Sequence, residues 1–334
     1  MKKRYASLLA YGLFATLALY NCKDHDTPPP TPDFEKEVEG IVVETVTLTT
    51  PPAVTAQSGT FSAPTTTTVS GYTGGAPTQT MQNTASQVSS TLNNDQIAAI
   101  NSVTPAQLQA VANGGALPAE VSNALNEIKK NPALASFLPT FALPTVNGTT
   151  VNGRTGLPEL LEPVEAIKAD DACLKKASDA LAKVIEKLKA DAKTEQDKVE
   201  AAYQKQVTDA TAAETSCKSG IPATFTGYRT AAKTQFDATI ATLDQNQAAL
   251  GSFYGTLKAL VVISYASALD TINTLEKAET AACTAKKNAA IANADAAKTE
   301  NINKVTAALN KGLTTANAKI TELSAACHNQ GGGR

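Results

Sequence analysis

Four of the five cysteines constrain how the second half of this chain can fold. Cys173 and Cys217 are 44 residues apart, and so are Cys283 and Cys327. Facing residues on two antiparallel helices have residue numbers with a constant sum. Cys173 with Cys327 and Cys217 with Cys283 both give 500. Disulfides on these pairs would staple one antiparallel helix pair at both ends in a single register. The midpoint of that register is residue 250, beside Gly251-Ser252-Phe253-Tyr254-Gly255, which reads as a turn in its own right.

Four cysteines allow three connectivities. Cys173–Cys217 would require a helix of 44 residues, about 66 Å at 1.5 Å per residue, to fold back on itself. Cys173–Cys283 with Cys217–Cys327 would require parallel helices across a segment that has its own hairpin turn. The nested pairing is the expected one, with buried, reduced cysteines as the alternative.

The flanking pattern is helical. Leu174, Ala177, Leu181, Val184 and Leu188 follow the 3-4 spacing of a coiled-coil seam, which fades at Asp191–Glu195 and resumes at Val199, Tyr203, Val207 and Ala210. Ser219-Gly220-Ile221-Pro222 reads as a break, with a second helix from about Ala223 to Leu250. A third helix starts near Thr256 and continues toward Cys327, with Val305, Leu309, Ala316 and Ile320 on one side. Ala-rich seams bury little area per residue, and a disulfide adds ~2–4 kcal/mol by restricting the unfolded chain.

Residues 218–282 form a distal hairpin holding Phe225, Tyr228, Phe236, Phe253, Tyr254 and Tyr265. The run Leu257–Leu275 is apolar over more than one face, so it needs more than one neighbour. Two arrangements satisfy this. The hairpin folds back at Ser219–Pro222 into a three- or four-helix bundle, covered in part by residues 95–138. Alternatively, those six aromatics are an exposed interaction surface.

The first half is unlike this. Residues 22–84 are rich in Pro, Thr, Ser and Gly and read as a flexible tether, which as a coil of some 60 residues would span about 40–45 Å. One island, Gly40–Thr49, has strand propensity but no evident strand partner. Residues 85–157 read as short helices and loop. Thr104-Pro105 is a helix start ended by Gly114-Gly115. Pro118 opens another helix that closes near Asn131-Pro132. Asn147-Gly148 and Asn152-Gly153 are turn signals. The helical domain spans 158–328 and residues 329–334 are a Gly-rich tail.

The first 21 residues read as an export signal. Lys2, Lys3 and Arg4 precede the uncharged apolar run Leu8–Tyr20, which is short for a membrane-spanning helix. The run ends at Leu19-Tyr20-Asn21-Cys22. An apolar residue three places before a cysteine resembles the bacterial lipobox, and Asn21 matches the looser form found in spirochaetes. The resemblance covers residues 1–22. It implies a lipoprotein whose Cys22 carries the lipid and becomes the first mature residue. Setting Cys22 aside leaves the even number of cysteines that an exported, disulfide-bonded chain needs.

The formal charge is −2, and removing the three signal basics leaves 26 basic against 31 acidic residues. With no basic cluster, nucleic acid is not an expected partner. The two histidines, His25 and His328, lie in the two tails, and the cysteines lack metal-site spacing. No catalytic residue, metal or cofactor is expected. The fold class expected is all-α: a stapled antiparallel hairpin with a distal helical pair and a disordered N-terminal tether. The expected role is a non-enzymatic envelope lipoprotein, anchored at the outer rather than the inner membrane, that meets an unknown protein partner through its helical body. The alternatives are an envelope spacer, or a lipid or hydrophobic-ligand carrier with the 257–275 face as its cavity wall.

Overall fold

The computed structural model describes residues 32–64, 67–150 and 172–328. The export signal, Cys22, the Asn152-Gly153 turn signal and the Gly-rich tail lie outside these. In chain order the elements are α1 (Phe34–Val38), β1 (Ala56–Gln57), β2 (Thr60–Ser62), α2 (Thr67–Ser70), α3 (Gln79–Thr91), α4 (Asn94–Asn101), α5 (Pro105–Ala112) and α6 (Ala119–Lys130). A 3-10 turn (Pro132–Phe137) follows. Then come β3 (Thr140–Ala142), β4 (Thr145–Val146), β5 (Thr149–Thr150), α7 (Ala172–Gln245), α8 (Gln247–Leu250) and α9 (Phe253–His328). The described residues divide into two compact units, and α7 and α9 contribute to both.

The first unit holds residues 32–43, 172–190 and 310–328. Cys173 and Cys327 are disulfide-bonded, with Cα atoms 5.9 Å apart. Ala177, Ala180, Val184 and Leu188 are buried along α7, facing Ala316, Ile320 and Cys327 of α9. A Cβ on Gly312 would stand 2.9 Å from Leu188 Cδ2, so the small residue there permits the close approach. Asp33 caps α1, whose Phe34 and Val38 are buried. Lys187 donates to the Glu39 carbonyl at 2.9 Å, and Lys183 pairs with Glu35.

The second unit holds residues 44–64, 67–150 and 191–309. Its helix pair keeps the same antiparallel register. Cys217 and Cys283 are disulfide-bonded with Cα atoms 5.8 Å apart. Lys298 pairs with Glu200 at 2.6 Å and lies 4.4 Å from the Tyr203 ring centroid. The α7–α9 corner is closed by α8 and by Gly251 at φ 51°, beside buried Leu250, at the midpoint of the cysteine register.

The expected break at Ser219–Pro222 does not occur, because α7 runs through Pro222. Proline removes one backbone donor and leaves the carbonyl four residues earlier, that of Lys218, without its helical bond. Side-chain interactions hold the helix together across this point. The Cys217–Cys283 bond lies one turn before it, and Glu214 accepts from Lys218 (2.7 Å), Lys287 (2.8 Å) and Thr284 (2.8 Å). Phe225, one turn beyond, is buried. Residues 218–282 therefore continue the helix pair and do not fold back.

The multi-faced apolar run on α9 is covered from outside the pair. Residues Leu257 to Leu275 pack with Phe225 and Phe236 of α7 and with α3, α4, α5, α6 and the 3-10 turn. By length and composition this stretch of α9 could pass for a membrane span, but 78% of its most apolar window is buried inside the fold. The short helices have the boundaries their sequence encodes. Thr104 and Gln107 form a capping box with Pro105 at the first position, and Gly114 ends α5 at φ 90°. Asn147 and Gly148, both at positive φ, make the two-residue turn between β4 and β5.

From Pro32 on, the segment read as a flexible tether belongs to the folded body. Val69, Tyr72 and Met81 are core residues. Among the described residues the island at Gly40–Thr49 pairs with no strand, and helix side chains bond to its backbone instead. Asn301 accepts from the Thr49 amide at 2.7 Å and donates to the Thr49 carbonyl at 3.2 Å. Asn293 donates to the Pro52 carbonyl at 2.9 Å, and Glu195 accepts from the Val46 amide at 3.4 Å. A Pro/Thr-rich segment cannot build a core, but it can lie along one that already exists. Composition reports only the first property.

Two predictions follow from these clamps. Asn301 is 4% exposed, so Asn301→Ala leaves both polar groups of Thr49 poorly satisfied. The expected cost is about 1–3 kcal/mol, read by denaturant unfolding, with faster amide exchange at residues 46–52. For Glu214, hydrogen bonds from Lys218, then Lys287 and Thr284, lower the carboxyl from its ordinary value of 4.5 to about 2. A pKa depressed on folding stabilises the fold above the unfolded value and is lost as pH falls through the folded one. The melting-temperature gap between the parent and Glu214→Gln should therefore be full above pH 4.5 and close as pH approaches 2.

Candidate binding groove

The six aromatics named above do not form one exposed surface. Phe225 is 3% exposed and meets Tyr228 edge to face, with ring centroids 5.5 Å apart. Tyr228 in turn packs against Phe61 of β2. Phe253 and Tyr254 are half-buried against the cluster that includes Leu243, Leu250 and Leu257. Residues 61–138, which have no aromatic-rich run of their own, supply the cover. The apolar surface on α7 and α9 and its cover by residues 95–138 are legible in the sequence, whereas the part supplied by residues 61–94 is not.

The remaining pair, Phe236 and Tyr265, lies where the lid stops short. Their rings stack with centroids 4.4 Å apart and planes 16° from parallel. They form the floor of a groove of ≈ 470 Å³ between α7, α9 and the α4–α5 connection. Ile240, Val262, Leu108 and Val103 make the walls. The α4–α5 connection is positioned by Asn101, whose Nδ2 donates to the Gly255 carbonyl at 2.9 Å. Because the 257–275 run is mostly core, only a few of its side chains reach this groove.

Two ion pairs edge the groove. Lys233 pairs with Asp237 one turn on. Lys258 donates to Asp244 at 2.9 Å and to the Tyr254 hydroxyl at 2.8 Å, and that hydroxyl donates to Asp244 at 2.6 Å. Burial opposes the Asp244 charge, but the bonds from Tyr254 and Lys258 outweigh it and hold the carboxyl below its ordinary value. Burial also opposes the Lys258 charge, and the bonds with Tyr254 and Asp244 again prevail, raising its pKa. The Lys258 ammonium therefore stays charged opposite the Asp244 carboxylate.

Two polar groups on the lining are uncommitted, Asn101 Oδ1 and the Tyr265 hydroxyl. Tyr265 is 8% exposed, yet its hydroxyl hydrogen-bonds to no described residue. Burial first, and the Asp237 charge second, raise its pKa, so it is a neutral phenol that can donate or accept. In sequence, Lys233, Asp237, Asp244 and Lys258 resemble any solvated helix face. Only the antiparallel register brings Asp244 and Lys258 together, so the cysteine sum that pairs the helices could also have paired these two.

Of the other expected site residues, Cys22 lies outside the described residues and the four remaining cysteines form the nested pairs. Among the described residues, no group of three or more His, Cys, Asp or Glu is placed to hold a metal ion. Protein-family models, curated proteins and solved structures give no match to this chain.

Proposed function

We propose that this chain is an exported, lipid-anchored envelope protein that acts without catalysis, by binding a protein partner through its folded body. The observation that carries the reading is the pair of disulfides between α7 and α9. Such bonds persist where thiols are oxidised, outside the bacterial cytoplasm. That agrees with an export signal ending at Cys22. The partner is expected on exposed apolar surface. Phe141 of β3 is 46% exposed and Leu143 beside it 39%. Among the described residues β3 pairs with β2 alone, which makes its other edge the place expected for a partner.

Intact-mass analysis of the protein extracted from membranes should show the lipid on Cys22, and Cys22→Ala should move the chain to the soluble fraction. An unmodified Cys22 would overturn the anchor. The soluble body, immobilised and titrated with envelope or host extracts, should capture a partner saturably. Phe141→Asp with Leu143→Asp should weaken that capture by about tenfold or more, the loss expected when a buried apolar contact becomes charged. Absence of any saturable partner would overturn the binding role.

A further inference from the structure

The groove above Phe236 and Tyr265 has properties that select a ligand by charge as well as by shape. Its ≈ 470 Å³ lies within the range of small-molecule sites. Its floor and walls are apolar and aromatic. Two polar groups on the lining, Asn101 Oδ1 and the Tyr265 hydroxyl, point to a ligand independently of the concavity. The Tyr265 hydroxyl belongs to a residue more than nine-tenths buried and has no hydrogen-bond partner among the described residues. That hydroxyl is not sealed from solvent, so a molecule seated on the Phe236–Tyr265 floor replaces water there, whereas Asn101 Oδ1 on the same lining is sealed and has no partner among the described residues.

The rim decides the ligand's charge. Lys233 faces Asp237 and Lys258 faces Asp244, so each cation is already neutralised by its own anion. An anionic ligand approaching either lysine meets a carboxylate beside it, and a cationic ligand approaching either aspartate meets an ammonium. Neither sign gains net attraction, and both lose hydration on entering an apolar groove. An uncharged oxygen function loses far less and can bond to the phenol.

We infer that this groove binds a neutral amphiphile: an apolar chain or ring system carrying an uncharged ester, amide or hydroxyl group that hydrogen-bonds to Tyr265. The inference does not depend on the lipid anchor or on a protein partner. It differs from a carrier that uses the whole 257–275 face, since most of that face is core. The occupied surface is instead the strip of α7 from Lys233 to Asp244, with Lys258, Val262 and Tyr265 of α9 and the α4–α5 connection opposite.

The test uses the full chain carrying Cys22→Ala, so that neither an acyl group nor detergent competes, and the neutral dye Nile red as probe. One equivalent should bind saturably with a blue-shifted emission. Ala241 is solvent-exposed and lines the groove, so Ala241→Trp fills it from a position outside the core. This variant should keep its helical circular dichroism and weaken binding by about tenfold or more, the effect of blocking a site of this size. Tyr265→Phe keeps the ring and removes the hydroxyl, and should weaken binding by about three- to tenfold, the worth of one hydrogen bond. Monododecanoylglycerol should displace the dye at concentrations at least about tenfold below those needed for dodecanoate or dodecyltrimethylammonium, because the charged heads lose hydration. Lack of saturation, or undiminished binding to the Ala241→Trp variant, would overturn the site. Equal displacement by all three amphiphiles would overturn the preference for a neutral ligand.

Discussion

The antiparallel pairing of α7 with α9 is the constraint on which the other elements rest. Much of its seam is alanine, including Ala177, Ala180, Ala192, Ala294, Ala297 and Ala316. Small side chains let the backbones approach but contribute little burial each, and they specify register weakly because one alanine replaces another without loss. The disulfides supply what the packing lacks. Each bond fixes which residue faces which, and contacts several turns away then fall in the same register, Glu200 with Lys298 and Asp244 with Lys258 among them. The bundle of short helices follows from this pairing. A fixed register presents one continuous apolar strip from Leu257 to Leu275, and α3 to α6 have a surface on which to fold.

What the sequence disclosed and what it withheld divide along a physical line. Cysteine spacing, the corner near residue 250, the Thr104-Pro105 cap and the Asn147-Gly148 turn are local or numerical signals, and each is present in the fold. Pro222 was misleading because proline is a helix breaker only by the bond it removes. Side-chain interactions across Cys217, Glu214 and Phe225 outweigh one lost bond. The segment from Pro32 was misleading for the converse reason. Its composition truthfully reports that it cannot fold alone, and says nothing about a surface some 150 to 250 residues away.

The groove was half legible. Phe236 and Tyr265 stand out in a chain with 5% aromatics, and their presence on facing helices follows from the register. Their incomplete cover does not, because it depends on where the α4–α5 connection ends. The paired rim charges are ordinary helix-surface residues until α7 and α9 are placed side by side.

Asn301 holding both polar groups of Thr49 also has a bearing on the order in which this protein can be assembled. During synthesis the segment around Thr49 emerges early, whereas Asn293, Asn301 and Lys304 appear some 240 to 255 residues later. The segment around Thr49 must therefore wait without these partners until residues 293–304 have been made. Pro51 and Pro52 lack a backbone donor, which limits strand pairing by the segment during that wait. The same composition that makes it look like a passive linker suits it to be the last piece laid down.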